Sequence, residues 1–269
     1  MNSSPNFIYW HLTKVIIQYN RTNSWGKNKE EQVKNNFEDT MIFKKGNKNI
    51  LKNKELNNLI QFQLDKTNIE EKDLLEIKDI VLNGRKINGD INIVDFNEID
   101  LFPNLQKIEL KNLEISKQNM EKLKKLDDIY LKNCNIESIE EIKNVKNISI
   151  NNCIIEDFQS IDCIQDLEEL EIVNMPIVNF DFLKKLKRLK VLKIKNVKGF
   201  SLDKINFVLP IEYLSVEGIE DLEEEYLTSN YPNLEILSIE LAKNEEWSEN
   251  LEKIKQKGIK ILLNDIYEY

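Results

Sequence analysis

Histidine and cysteine are rare in the chain, and its carboxylates are so plentiful that they carry little information about catalysis. The one histidine is His11, and the three cysteines are Cys134, Cys153 and Cys163. A cysteine nucleophile needs a nearby base, and His11 lies far from all three in sequence. No glycine-rich phosphate loop, zinc-ligand spacing or nucleophile elbow is found in the sequence. We therefore predict a protein that is not an enzyme, with no catalytic residues, no metal site and no cofactor.

The alternative is a catalytic function confined to residues 1–45, in which Trp10 and His11 would be the residues to test. The segment 7–19 in this region is strongly apolar. Its β-branched and aromatic content favours a strand, whereas its spacing favours a helix, and we favour the helix.

The elements that organise the chain are short apolar pairs, which recur within residues 127–195 at intervals of about 22 residues. Each pair has the form apolar–x–apolar and follows another apolar residue three positions earlier. The same register continues on both sides of this stretch. The pairs are Ile80/Leu82, Ile108/Leu110, Ile129/Leu131, Ile148/Ile150, Leu170/Ile172, Leu192/Ile194, Leu214/Val216, Leu237/Ile239 and, more weakly, Ile261/Leu263.

This alternation predicts that each pair lies on the inner face of a short strand, with the intervening residue pointing outward. No single copy can bury its apolar face alone, so the copies must stack as a parallel sheet around a common core.

Two further columns support this register. Two residues after each of the first seven pairs stands a Gly or Asn, the residue types that tolerate a positive φ, and we expect the chain to turn there. These residues are Gly84, Asn112, Asn133, Asn152, Asn174, Asn196 and Gly218. The next column is apolar and includes Cys134 and Cys153, which we interpret as space-filling core thiols rather than a redox pair. Three cysteines offer no disulfide framework and fit a reducing cytoplasm.

The repeats resemble the bacterial leucine-rich repeats of the internalin-like and SDS22-like class, most closely in residues 139–158 (IEEIKNVKNISINNCIIEDF). The resemblance covers about residues 74–265. It implies an α/β leucine-rich-repeat solenoid with short 3-10 or irregular convex segments and partner binding on the concave face. One departure is that the buried asparagine of that family is replaced here by apolar residues. We therefore expect no hydrogen-bond ladder from that position.

We divide the chain into an N-terminal segment with a helical cap, residues 1–73, and a solenoid with a closing repeat, residues 74–269. Helical spacing predicts cap helices over residues 51–64 and 70–77. Two more helices are predicted near the C-terminus, over residues 222–229 and 245–256, and residues 259–269 should close the solenoid end.

The formal net charge of −9 disfavours non-specific binding to nucleic acid or to anionic membranes. It suits a basic protein partner, although simple solubility explains it equally well. The N-terminus lacks the features of a signal peptide, and no apolar run is long enough to span a bilayer. We therefore expect a cytoplasmic monomer, and the abundant Lys, Asn and Ile indicate a bacterial source.

The residues that flank each inward pair should lie on the concave face, where most are polar. The exception is the first position of three consecutive strands, where Val191, Tyr213 and Ile236 form an apolar stripe. We interpret the stripe as a binding hot spot anchored by Tyr213 within an acidic surround. The alternative is that these side chains pack under a loop or against the C-terminal helices. The predicted binding residues are Tyr130, Glu169, Glu171, Val173, Val191, Tyr213, Glu217, Ile236 and Glu240.

Together these observations predict a non-enzymatic protein-binding module that recognises a protein on its concave face, as an immunity or adaptor protein would. The alternative is a secreted or surface effector that interacts with a host. A structural scaffold within a larger complex is the third interpretation.

Overall fold

The computed structural model describes residues 50–84, 86–87, 90–91, 96–177, 179–198, 200–217, 223–241 and 249–265. All of them belong to one compact unit, Asn49–Tyr269. Residues 1–45, with Trp10 and His11, lie outside the described residues, so the interpretation of that segment stays a prediction. The predicted division of the chain between residues 73 and 74 also stays a prediction.

Two helices precede the first strand. Helix α1 spans Lys54–Leu64 and α2 spans Glu71–Leu74. Asn53 caps α1, because its side-chain oxygen accepts a hydrogen bond from Leu56 N at 3.0 Å. Helix α1 confirms the helix predicted over residues 51–64. Helix α2 is shorter than predicted: a capping box between Glu70 and Asp73 fixes its start, but the chain is extended again only a few residues later.

The described strands are short, and five residues is the common length of the longer ones. Their bounds are β1 Asp79–Asn83, β2 Lys86–Ile87, β3 Asp90–Ile91, β4 Lys107–Lys111, β5 Glu114–Ile115, β6 Asp128–Lys132, β7 Asn135–Ile136, β8 Asn147–Asn151, β9 Ile154–Ile155, β10 Glu169–Val173, β11 Val191–Lys195, β12 Tyr213–Glu217, β13 Ile236–Leu241 and β14 Lys260–Asp265.

Within the described chain, nine of these strands form one parallel sheet in the order β1-β4-β6-β8-β10-β11-β12-β13-β14. The register aligns each apolar pair with the next, as where Leu170 pairs with Leu192. From β1 to β13 both members of every pair are at most 6% exposed. The sequence register is therefore confirmed, and the inward pairs build one continuous core.

The chain returns between long strands through a second layer of short segments. Among the described residues, three of these segments are α-helices and four are 3-10 helices. They are α3 Lys117–Glu121, α4 Glu224–Asn230 and α5 Glu249–Gln256, with 3-10 helices at Phe96–Leu101, Phe158–Cys163, Asp181–Lys185 and Leu202–Lys204. Helices α4 and α5 confirm the helices predicted near the C-terminus within the described residues.

Aromatic rings hold consecutive segments of this layer together. The ring centroids of Phe158 and Phe182 are 5.3 Å apart, and those of Phe180 and Phe200 are 5.2 Å apart, both in edge-to-face contact. Strands β5, β7 and β9 add a second, three-stranded parallel ladder just after the turns. The arrangement of long strand, turn and short return segment, repeated in parallel register, is a leucine-rich-repeat solenoid of the α/β class.

In the turn column, the described asparagines have the predicted positive φ, whereas the first glycine does not. Asn112, Asn133, Asn152, Asn174 and Asn196 all have φ between 47° and 54°. Gly84 does not have a positive φ. A Cβ at that glycine would lie 2.3 Å from the carbonyl oxygen of Asn112, so the side chain is excluded by close backbone approach. Gly218 lies outside the described residues.

The turn asparagines also bond to other asparagines in what we call the asparagine ladder, in which three acceptors are turn asparagines and two, Asn83 and Asn151, end strands. Each side-chain amide donates to an asparagine oxygen of the preceding repeat. The donor and acceptor pairs are Asn112 and Asn83 at 2.7 Å, Asn133 and Asn112 at 3.1 Å, Asn152 and Asn133 at 2.8 Å, Asn174 and Asn151 at 3.0 Å, and Asn196 and Asn174.

The sequence predicts no hydrogen-bond ladder from the buried column that follows the turn. The column after the turn is apolar and buried, as predicted, from Leu113 through Cys134 to Val197. A ladder of hydrogen bonds is nevertheless present, because the exposed asparagines one position earlier provide it. The asparagine ladder therefore lies at the exposed surface of the turn, one position before the buried column.

The two ends of the sheet differ. At the first strand, the Gln63 side chain of α1 donates to Asp79 O at 3.1 Å, and Leu56 and Ile60 of the same helix join the core. At the last strand, Leu263 is 38% exposed and Ile261 is half-buried, although both occupy inward positions. Residues 259–265 therefore form the predicted final strand without covering the core, and residues 266–269 lie outside the described residues.

The asparagine ladder makes a prediction about stability. Replacing Asn133 with Ala removes two ladder hydrogen bonds and places a Cβ-bearing residue at φ 53° without local support. The left-handed conformation alone costs about 1–2 kcal/mol for such a residue. Asn133→Gly removes the same hydrogen bonds and relieves the backbone strain, so it should cost about 1 kcal/mol less than Asn133→Ala.

Urea unfolding at equilibrium measures both changes, with Asn135→Ala as the control. Asn135 is exposed, lies two residues away in β7 and has no positive φ, so its replacement should change the free energy of unfolding by less than about 0.5 kcal/mol. Equal losses for the Ala and Gly variants of Asn133 would show that the positive φ does not constrain this position.

Candidate functional site

The described residues offer no assembled catalytic or metal chemistry. Within them, no group of three or more His, Cys, Asp or Glu side chains could hold a metal ion. His11, the only histidine, lies outside the described residues. Among the helices that the structure describes, none is long and apolar enough to cross a membrane.

Two of the cysteines lie side by side in the core, as their shared column predicts. Cys134 and Cys153 are both buried, and the backbone N–H of Cys134 donates to Cys153 Sγ at 3.4 Å. The side chain of Cys134, together with burial, raises the pKa of the Cys153 thiol. Both sulfur atoms are buried in adjacent repeats, so this pair fills space in the repeat column.

The candidate site is instead the concave face, which we define as the outward positions of the long strands. Val191, Tyr213 and Ile236 lie directly opposite one another on β11, β12 and β13. We call these three residues the apolar row. Adjacent strands are about 4.8 Å apart, so the row is continuous and about 10 Å long. All three side chains are half-buried, which leaves part of each available for contact.

Charged residues lie at both ends of the apolar row. Glu169 pairs with Val191 across β10 and β11, and Lys260 pairs with Ile236 across β13 and β14. The ammonium group of Lys193 lies 6.0 Å from the centre of the Tyr213 ring, at the outer limit of a cation–π contact. The row is therefore a bounded apolar patch on a face that is otherwise largely polar.

The four predicted acidic residues lie on this face, and each contacts a partner within the chain. Glu169 pairs with Lys193 at 2.5 Å, and Glu240 pairs with Lys195. Glu171 accepts a hydrogen bond from the Ser149 hydroxyl at 2.6 Å, and Glu217 accepts one from the backbone N–H of Asn196 at 2.6 Å. The acidic surround is thus engaged within the face rather than free around the apolar row.

The other two predicted residues lie away from the apolar row. Tyr130 is half-buried on β6, and the Lys107 ammonium lies 4.2 Å from the centre of its ring. Three strand spacings separate β6 from β11, which places Tyr130 about 14 Å from the row. Val173 is half-buried at the opposite end of β10 from Glu169. The predicted residues therefore share one face but form more than one patch.

Two residues of the concave face are less exposed than outward residues of a solvated sheet usually are. Ser215 and Ser238 occupy outward positions on β12 and β13, yet they are only 3% and 1% exposed. They lie between the row that contains Tyr213 and Ile236 and the row that contains Glu217 and Glu240. Contact with a partner on these strands would consequently involve the flanking rows.

Lys193 and Lys195 were predicted to lie on the concave face, but their ion pairs with Glu169 and Glu240 were not predicted. Their signal is the strand register: Lys193 lies one strand from Glu169, and Lys195 lies two strands from Glu240. Opposite charges on neighbouring strands at outward positions predict cross-strand pairs.

Comparisons with known proteins complete the description. No protein-family model matches the sequence, and no curated protein matches it. Among solved structures, the chain is similar to an internalin (inlF) from Listeria monocytogenes, with 18% identity and a TM-score of 0.49. That alignment covers 79% of this chain and 63% of the internalin chain, so this chain spans less than two thirds of it. Internalin C2 (inlC2) from the same organism is similar at 19% identity and a TM-score of 0.48, with coverage of 77% of this chain and 91% of that chain.

The thiols allow a direct test of the core assignment. Cys163 is exposed, whereas Cys134 and Cys153 are buried, so iodoacetamide should label Cys163 alone in the folded protein. Partial desolvation and the neighbouring Asp162 carboxylate raise the pKa of Cys163, so its labelling at pH 8 should be slower than that of an unstructured cysteine peptide. Mass spectrometry of the labelled protein measures both the sites and the rates.

The control is a Cys163→Ser variant, which should take up no label until guanidinium unfolds it and then take up two. Native labelling of Cys134 or Cys153 at a rate comparable to that of Cys163 would contradict their place in the core.

Proposed function

We propose that the protein is a non-enzymatic binding module that recognises another protein on its concave face, with the apolar row at the centre of contact. The observation that carries this proposal is the register of Val191, Tyr213 and Ile236 on three consecutive strands. An aromatic residue between two aliphatic ones, surrounded by polar groups, has the composition of an interface hot spot. The solenoid supports such a role, because extended faces of this kind serve as binding surfaces.

The charges on the face support a second part of the proposal. Acidic and basic side chains are close to balanced there, and the four glutamates of the surround already have partners. We therefore assign the affinity mainly to the apolar row, and the orientation of the partner to the charged rim. The net charge of −9 favours a basic partner, since long-range attraction raises the rate of association.

For the biological role, we propose an immunity or adaptor protein that acts inside a bacterial cell. The acidic charge supports this role, because an acidic protein suits a basic target. A secreted or surface effector that contacts a host protein is the alternative, and the compartment in which the partner is found distinguishes the two.

The proposal predicts the effect of single changes in the apolar row. Tyr213→Ala should weaken binding of the partner, recovered by co-purification from native lysate, at least tenfold, because the central aromatic is removed. The same change should lower the free energy of unfolding by less than about 1 kcal/mol, since the side chain is half-buried on the outer face. Titration calorimetry and urea unfolding measure the two effects on the same preparations.

The matched control is Phe62→Ala, which removes an aromatic ring that is 78% exposed on α1, the helix that contacts the β1 end of the sheet. It should leave both affinity and stability unchanged. A triple variant, Val191→Glu with Tyr213→Ala and Ile236→Glu, should retain no partner while remaining folded. A loss of several kcal/mol of stability in Tyr213→Ala, as for a core aromatic, would identify Tyr213 as a packing residue and reject the hot spot.

A further inference from the structure

The last strand of the long sheet leaves one edge unpaired within the described chain. In β14 the backbone N–H of Lys260 donates to Glu235 O of the preceding repeat at 2.8 Å. In a parallel ladder the backbone groups of successive residues point alternately to one side of the strand and to the other. Leu262 therefore also bonds toward β13, whereas the N–H and C=O groups of Ile261 and Leu263 point away from the sheet. An edge of this kind is a template for another strand.

The same end of the solenoid exposes residues that belong to the core. Leu263 is 38% exposed and Ile261 is half-buried, whereas the equivalent Leu237 and Ile239 of β13 are fully buried. Leu262, on the concave side of β14, is also half-buried. This strand presents three consecutive apolar residues, and within the described chain no further repeat covers them. The edge therefore offers both hydrogen-bonding groups and apolar surface to an incoming strand.

We propose that a second copy of the chain covers this end, through antiparallel pairing of the two β14 strands about a two-fold axis at Leu262. The axis is perpendicular to the sheet, so the two cores join and the two concave faces lie on the same side. In this register Leu262 faces Leu262 of the second copy, and Ile261 faces Leu263. Both members of that second pair have outward backbone groups, so they exchange their N–H and C=O hydrogen bonds.

The residues of β14 are suited to this self-pairing. Every contact at the centre of the paired strands joins an apolar side chain to another apolar side chain on the same face of the sheet. The alternative centre at Leu263 would instead place Ile261 opposite Asp265. A centre at Ile261 would also pair apolar residues in the core, but it would place Lys260 opposite Leu262. Only the register about Leu262 keeps the central pairs of both faces apolar.

Charges in the neighbouring layer support the same orientation. Helix α5 packs against β14 and is the last helix of the return layer among the described residues. Its first turn carries Glu249 and Glu252, and its last turn carries Lys253 and Lys255. A two-fold axis makes the two α5 helices antiparallel, so the acidic start of each lies beside the basic end of the other. A parallel approach would oppose like charges.

The pairing concerns a surface separate from the apolar row, and it replaces the monomer expected from the sequence. It is independent of the proposed function and joins two concave faces edge to edge. A partner with two equivalent sites would then bind more tightly than one with a single site.

Cysteine cross-linking tests the register directly. Directly opposed residues that do not exchange hydrogen bonds have Cα atoms about 4.5 Å apart, within the range of a disulfide. In a Cys163→Ser background, Leu262→Cys should give a disulfide-linked dimer of the 31.8 kDa chain after mild oxidation with glutathione disulfide. Leu263→Cys is the matched control, because its counterpart is displaced about 7 Å along the strand and out of reach. Mass spectrometry under non-reducing conditions measures the amount of disulfide-linked dimer for both variants.

Sedimentation of the unmodified protein supplies the second measurement. The wild type should show a concentration-dependent dimer, and Leu263→Lys should raise its dissociation constant at least tenfold by placing a charge in the joined core. Leu75→Lys, which changes an equally apolar residue that is 51% exposed beside α2, should leave the dimer unchanged.

Cross-linking through Leu263→Cys rather than Leu262→Cys would overturn the register. A wild-type monomer at all concentrations would overturn the pairing altogether, whatever the outcome for the concave face.

Discussion

The rest of the structure depends on one constraint, which is that no repeat can bury its apolar pair by itself. Each strand has only two inward side chains, such as Leu192 and Ile194 on β11, and they are fully buried because the pairs on β10 and β12 flank them. Stacking in register is therefore the condition for having a core at all. The parallel sheet, the turn after each strand and the return layer all follow from the need to bring the next pair into the same column.

The same register that buries the inward pairs also arranges the outward residues into rows. Because Leu192 must pair with Leu214, Val191 must lie opposite Tyr213, and the apolar row is a consequence of the core. The outward residues are free to change without loss of the core, which is how a repeated scaffold can carry a specific surface. The ion pair between Glu169 and Lys193 shows the same rule for charges, since neighbouring strands bring opposite charges together.

The features that depend on one strand were predictable from the sequence. Alternation located the inward pairs, and the asparagines after each strand located the positive φ angles, as at Asn152. Some features that depend on neighbouring repeats, such as the contact of Cys134 with Cys153, were predicted from the shared column, but others were not. The asparagine ladder, the close approach of Asn112 to Gly84 and the burial of Ser238 are set by what lies one repeat away. The open core at Leu263 has the same origin, because the pattern shows an apolar pair but not whether a further repeat covers it.

The central claim is that the core register presents the apolar row as a contact surface for another protein. Hydroxyl-radical footprinting tests this most directly, because it reports the solvent accessibility of individual side chains with and without the partner. The account predicts that oxidation of Tyr213 falls severalfold in the complex, while oxidation of Phe62, an exposed aromatic on α1, stays constant. Unchanged oxidation of Tyr213 together with protection of Phe62 would place the partner elsewhere and contradict the account.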